Sequence, residues 1–143
     1  MTTLHRVGGG LLALAMVIAV PAVLAAQQAP ASVATADAQE FVGSWAVSLE
    51  SDMGPFSFTV QLEDDEGTLA GRVISEMMGA PQTVNAHRVA KQGDNLRIEY
   101  TMDFDGQPIP ISVLIIPADG GAYRASLDVA DGMFMASGTA SKS

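Results

Sequence analysis

The chain contains no cysteine, which removes disulfides, thiolate nucleophiles and thiolate metal centres together. It has two histidines, and since His5 lies in the N-terminal stretch, His87 is left as the one candidate base. A lone imidazole, with no thiol and no serine set in a nucleophile motif, assembles neither an activated nucleophile nor a three-ligand zinc site. The sequence therefore predicts no catalytic residue, no metal and no cofactor, and a protein that is not an enzyme. Positive charge is scarce as well: seven Lys and Arg stand against sixteen Asp and Glu, a net charge of −9. Such a surface repels phosphate backbones and anionic lipid, so nucleic acid is excluded as a partner. The densest acidic run, Glu63-Asp64-Asp65-Glu66-Gly67, lacks the spaced oxygen ligands of a calcium loop and reads as a solvated turn.

One long apolar run is present. His5 and Arg6 precede Leu11 to Val20, and Pro21 precedes Ala22-Val23-Leu24-Ala25, the charge, apolar stretch and small-residue ending of a secretory signal over residues 1–25. The uncharged stretch from Val7 to Ala26 is also about long enough to span a bilayer as a retained anchor. With cleavage, the expectation is an exported protein, periplasmic or extracellular, with no membrane segment in its mature form. Residues 26–40 are mostly Ala, Gln, Pro, Ser and Thr without apolar periodicity, the composition of a disordered linker. Residues 41–143 remain, enough for one domain with one core.

No amphipathic helical stretch occurs between Phe41 and Ser143. Apolar residues instead alternate at period two, most cleanly where Phe56, Phe58, Val60 and Leu62 interleave with Ser57, Thr59 and Gln61. That spacing puts one face in a core and one in water. Eight such segments are predicted, near 42–50, 56–63, 68–76, 82–90, 96–104, 109–116, 122–130 and 133–140. Glycine-bearing turns separate them, among them Asp105-Gly106 and Asp131-Gly132, which supply the positive φ of tight hairpins. Every connection is short, so no Greek-key crossover fits. The predicted fold is all-β, an eight-stranded antiparallel up-and-down barrel. Pro110, Ser112, Leu114 and Ile116 share an outward face that is less polar than its neighbours, consistent with an oligomer contact or with a shifted register.

With Gly43-Ser44-Trp45 on the first strand of such a meander, the chain resembles the calycin group of lipocalins and avidins, and particularly short lipocalin-like domains of secreted bacterial proteins. The resemblance covers Phe41 to Ser143 as an architecture and implies a carrier-like barrel without naming a ligand. It also implies a basic side chain over Trp45 at the closed end, a place for which Arg124 is the expected substitute. Secreted metalloprotease inhibitors share a Gly-x-Trp barrel, which implies a protein-interaction alternative using the N-terminal segment.

In a meander every second turn lies at the same end. All six methionines beyond residue 25, Met53, Met77, Met78, Met102, Met133 and Met135, fall in or beside one set of turns, with Phe56, Phe104 and Phe134. Thioethers are flexible and polarisable and adapt to varied apolar partners. These nine residues are the predicted mouth of a binding site, and Trp45, Phe58, Tyr100 and Tyr123 its predicted interior. The expected function is the binding of a small apolar or amphipathic molecule at that mouth. A protein partner at the same rim and a barrel plugged by its own side chains are the alternatives.

Overall fold

A computed structural model describes residues 32–77 and 79–143. The leader expected over residues 1–25, the start of the linker and Met78 lie outside the described residues, as does the side chain of Met77. The domain is all-β. Its strands are β1 (Gly43–Ser51), β2 (Gly54–Asp65), β3 (Thr68–Met77), β4 (Ala80–Asn85), β5 (Arg88–Gln92), β6 (Asn95–Phe104), β7 (Gln107–Pro117), β8 (Tyr123–Val129) and β9 (Phe134–Lys142). They form one antiparallel sheet in the order β4-β3-β2-β1-β9-β8-β7-β6-β5. Each ladder joins neighbours in sequence, except that β1 also pairs with β9, Val47 opposite Ala140.

Period-two patterning sets the burial. Phe58, Val60 and Leu62 of β2 are buried while Ser57 and Glu63 are exposed, and Ile98 and Val113 are a directly opposed, fully buried pair on β6 and β7. One cluster gathers buried side chains from every strand but β4, which adds the half-buried Val84, so the sheet curls around a single core. Pro110 is exposed and Ser112, Leu114 and Ile116 are half-buried, so strand β7 faces as its alternation indicates.

The strand expected over 82–90 is two strands, and the sheet has nine strands where eight were read. Ala86 N–H donates to Gly71 O of β3 (2.8 Å), and the next residue, His87, donates to Glu99 O of β6 (2.9 Å). Upstream the chain pairs with β3 alone, downstream with β6 alone. The wedge responsible is the N-terminal segment. Val33 N–H donates to Val89 O of β5 (2.7 Å), and Val33 O accepts from Leu69 N–H of β3 (2.9 Å), so this segment fills the place where β3 and β5 would otherwise pair. No ladder joins β4 to β6, and the sheet is not closed by hydrogen bonds.

The disordered linker expected over 26–40 is thereby corrected for its described part. Residues Thr35–Asp37 and Gln39–Phe41 form 3-10 turns. Thr35, Ala38 and Phe41 are buried, Thr35 N–H donates to Gly67 O (3.0 Å), and the Thr35 hydroxyl donates to Asp64. Low apolar content hid this docking: a few small residues and one phenylalanine suffice when the surface they meet is already apolar.

Candidate functional site

The β1–β2, β3–β4, β6–β7 and β8–β9 connections share one end of the sheet, as strand alternation requires. Local polar contacts shape these turns. Asp103 Oδ1 accepts from Gly106 N–H (2.8 Å) and Asp128 Oδ1 from Gly132 N–H (2.7 Å), while the Ser51 hydroxyl accepts from Met53 N–H (3.2 Å). In and beside these turns large apolar side chains stand in water: Met53 is 84% exposed, Met133 86%, Met135 65% and Phe104 40%. Met135 stands on the outer face of β9, since Phe134 and Ala136 on either side of it face the core. This end also carries Asp52, Asp103, Asp105 and Asp131, so it is not the uncharged pole that its methionines alone suggest.

Beneath the exposed rim lies a half-buried layer of Phe56, Met102, Ile109, Val129 and Phe134. The Phe56 ring sits 6.4 Å from that of Phe134 and 6.4 Å from that of Phe58. Below this layer Leu49, Phe58, Tyr100, Ile111, Leu127 and Ala136 are buried. The Tyr100 phenol is pushed up to about 12 by burial, because an apolar surround disfavours phenolate.

Trp45 and Tyr123, expected to line the interior with Phe58 and Tyr100, belong to the opposite end. Their rings meet edge to face at 4.6 Å, and Phe41 packs on both, 6.2 Å from Trp45 and 6.3 Å from Tyr123. Trp45 Nε1 donates to Phe41 O at 2.8 Å, satisfying an indole that is wholly buried. The cation over the Trp45 ring is Lys142 of β9, its Nζ 5.8 Å from the centroid. Arg124, expected there, is exposed on β8 opposite Thr139. Gly43, at φ 133°, makes room: a Cβ there would come within 2.8 Å of Lys142 Cε. Sequence reasoning missed Lys142 because the alternating apolar signal stops at Ala140, two residues before the strand does.

Two concavities open to the surface among the described residues. One, of about 520 Å³, runs along β2, β1 and β9 past Glu50, Phe56, Ser57 and Thr139. The other, of about 140 Å³, is bordered by His87, Arg97, Glu99, Ser112, Asp128 and Asp131. There the Glu99 carboxylate pairs with Arg88 (3.2 Å) and Arg97 (3.0 Å), which commits it to charge pairing across the β5–β6 seam. Among the described residues no three His, Cys, Asp or Glu side chains are grouped to hold a metal ion, and no helix is long and apolar enough to cross a membrane. No protein-family model, curated protein or solved structure matches the chain.

Proposed function

We propose that residues 41–143 are a calycin-like barrel, with β4 and β5 together acting as its fourth strand, and that the protein is a non-enzymatic binding module. Residues 1–25 direct its export to the periplasm or medium. Its ligand is a small amphipathic molecule whose apolar end rests at the methionine end, on Phe56, Met102, Ile109 and Phe134. The carrying observation is that layer itself, half-buried large side chains at the end where Met53, Met133 and Phe104 are exposed. Apolar surface held at the edge of water is what a ligand's chain covers.

The seat is shallow, because side chains fill the space below it. Covering about 200 Å² of apolar surface at about 25 cal/mol/Å² yields about 5 kcal/mol before ordering costs. That corresponds to dissociation constants from about 0.1 mM upward, those of a weak carrier. The inhibitor-like alternative is less favoured, since Val33 to Phe41 are engaged with the domain's own strands.

Titration with medium-chain fatty acids and an environment-sensitive dye tests this reading. Binding should weaken at least about tenfold in Met102→Glu and Phe134→Glu variants, while Trp45 fluorescence stays native. Wild-type protein that binds neither probe, or variants that bind as well as wild type, would refute it.

A further inference from the structure

The sheet register sets a row of polar side chains across the outer wall. Arg88 of β5 stands opposite Glu99 of β6, Glu99 opposite Ser112 of β7, and Ser112 opposite Asp128 of β8. Their sequence neighbours Val89, Ile98, Tyr100, Ile111, Val113 and Leu127 are buried in the core, so by alternation all four point away from it. Arg97, two residues before Glu99, shares this face. The cavity of about 140 Å³ opens over this row, bordered by Arg97, Glu99, Ser112 and Asp128 together with His87 and Asp131.

This cavity has two electrical ends. At one, Arg88 Nη1 lies 3.2 Å from Glu99 Oε2 and Arg97 Nε 3.0 Å from Glu99 Oε1, so two guanidiniums share one carboxylate and one positive charge is left over. Arg88 Nε and Arg97 Nε are shielded from water without a hydrogen-bond partner among the described residues, which leaves that end under-compensated. At the other end are two carboxylates. Asp128 gives Oδ1 to Gly132 N–H (2.7 Å) and has Oδ2 besides, and Asp131 is exposed in the same turn. A chain of net charge −9 repels free anions, so an anionic group is best held at the guanidiniums when its own molecule brings a cation to the carboxylates.

We propose that this cavity binds a zwitterion of dipeptide size, with its carboxylate on Arg97 and Arg88, its ammonium on Asp128 and Asp131, and its peptide unit beside the Ser112 hydroxyl. Span sets the size. Glu99 and Asp128 are two strand spacings apart, about 10 Å, and two extended residues of about 7 Å with one hydrogen bond of about 3 Å cover that distance. A free α-amino acid, with both charges on one residue, is too short to engage both ends, while drug-sized ligands need about 300 Å³ or more. Guanidinium and carboxylate pair in a bidentate fork, which orients the ligand. The site is on the outer face and the apolar seat uses core-facing side chains, so each stands or falls alone.

Glycylglycine is the probe, followed by amide NMR shifts and titration calorimetry on the purified protein. Wild type should show saturable shifts at Ser112 and Asp128. Acetylating the probe's ammonium or amidating its carboxylate should each weaken binding at least about tenfold, and glycine should bind as weakly as the blocked probes. Asp128→Asn, which keeps an Oδ1 acceptor for the turn, should weaken glycylglycine several-fold and leave the acetylated probe unchanged. Arg97→Gln should weaken glycylglycine and leave the amidated probe unchanged. Trp45 emission and fatty-acid binding should stay native in both variants. The probe series needs no substitution, so it decides the matter even where a variant fails to fold. No saturable binding by wild type, equal binding of free and blocked probes, or an equal loss for every probe in either variant would each overturn the proposal.

Discussion

Phe41→Ala probes whether the N-terminal segment is part of the core. Phe41 is wholly buried and packs on Trp45 and Tyr123. Truncating such a side chain costs about 3–5 kcal/mol, combining lost transfer energy with an unfilled cavity. Should the segment also detach, Trp45 Nε1 loses its acceptor on Phe41 O, and a buried donor left unpaired adds about 1–3 kcal/mol. Small domains have about 5–15 kcal/mol in all, so the variant stands between strongly weakened and unfolded. The chain's one tryptophan is at the damaged point, which makes its emission a local reporter. In urea, with a slope of about 2 kcal/mol/M, the midpoint should fall by about 2 M, and amide exchange at Val33, Thr35 and Leu69 should quicken with it. A loss below about 1 kcal/mol with native emission would mean that Phe41 does not seal this end and that the docked segment is dispensable.

Gly138→Ala should destabilise far more than Gly71→Ala in thermal melts, because the added Cβ would stand 2.0 Å from Ser48 O in the first case and 3.3 Å from movable side chains in the second. Equal shifts would contradict the β1–β9 packing. Burial pushes the Tyr100 phenol up to about 12, so above pH 10 the unfolded chain should ionise first and stability should drop by about 1.4 kcal/mol per pH unit until about pH 12. Urea midpoints measured across that window should lose this slope in Tyr100→Phe, and an equal slope in the variant and the wild type would mean that the Tyr100 phenol is not its source. Lys142→Ala should cost about 0.5–1 kcal/mol in urea titrations through the lost contact with the Trp45 ring, Lys142→Arg much less, and Arg124→Ala about nothing.

Most of the strand plan was legible because both parts of its code are local. Alternation marks a strand's two faces, as along Phe58, Val60 and Leu62, and turn glycines mark its ends. The division at Ala86-His87 was not legible. Nothing within 82–90 breaks the extended pattern, and the break is imposed by Val33, a residue more than fifty positions away that fills the space between β3 and β5. Lys142 and the docked turns at Thr35 to Phe41 were hidden for the same reason: their roles are fixed by what they meet in space. Met135 illustrates a further limit. Turn parity placed it at the correct end, yet the face it occupies follows from register, which an apolar run leaves open.

The closure of one end bears directly on what the other can do. Phe41, Trp45 and Tyr123 fill the pole where the N-terminal segment docks, and Lys142 and Val33 hold that segment through contacts with Glu40 O and Val89 O. A ligand that required this pole to open would have to displace a wholly buried phenylalanine and expose a buried indole, a cost of several kcal/mol that a weak binder cannot meet. The ligand proposed above is therefore expected at the methionine end, where the half-buried layer is reached without disturbing the core.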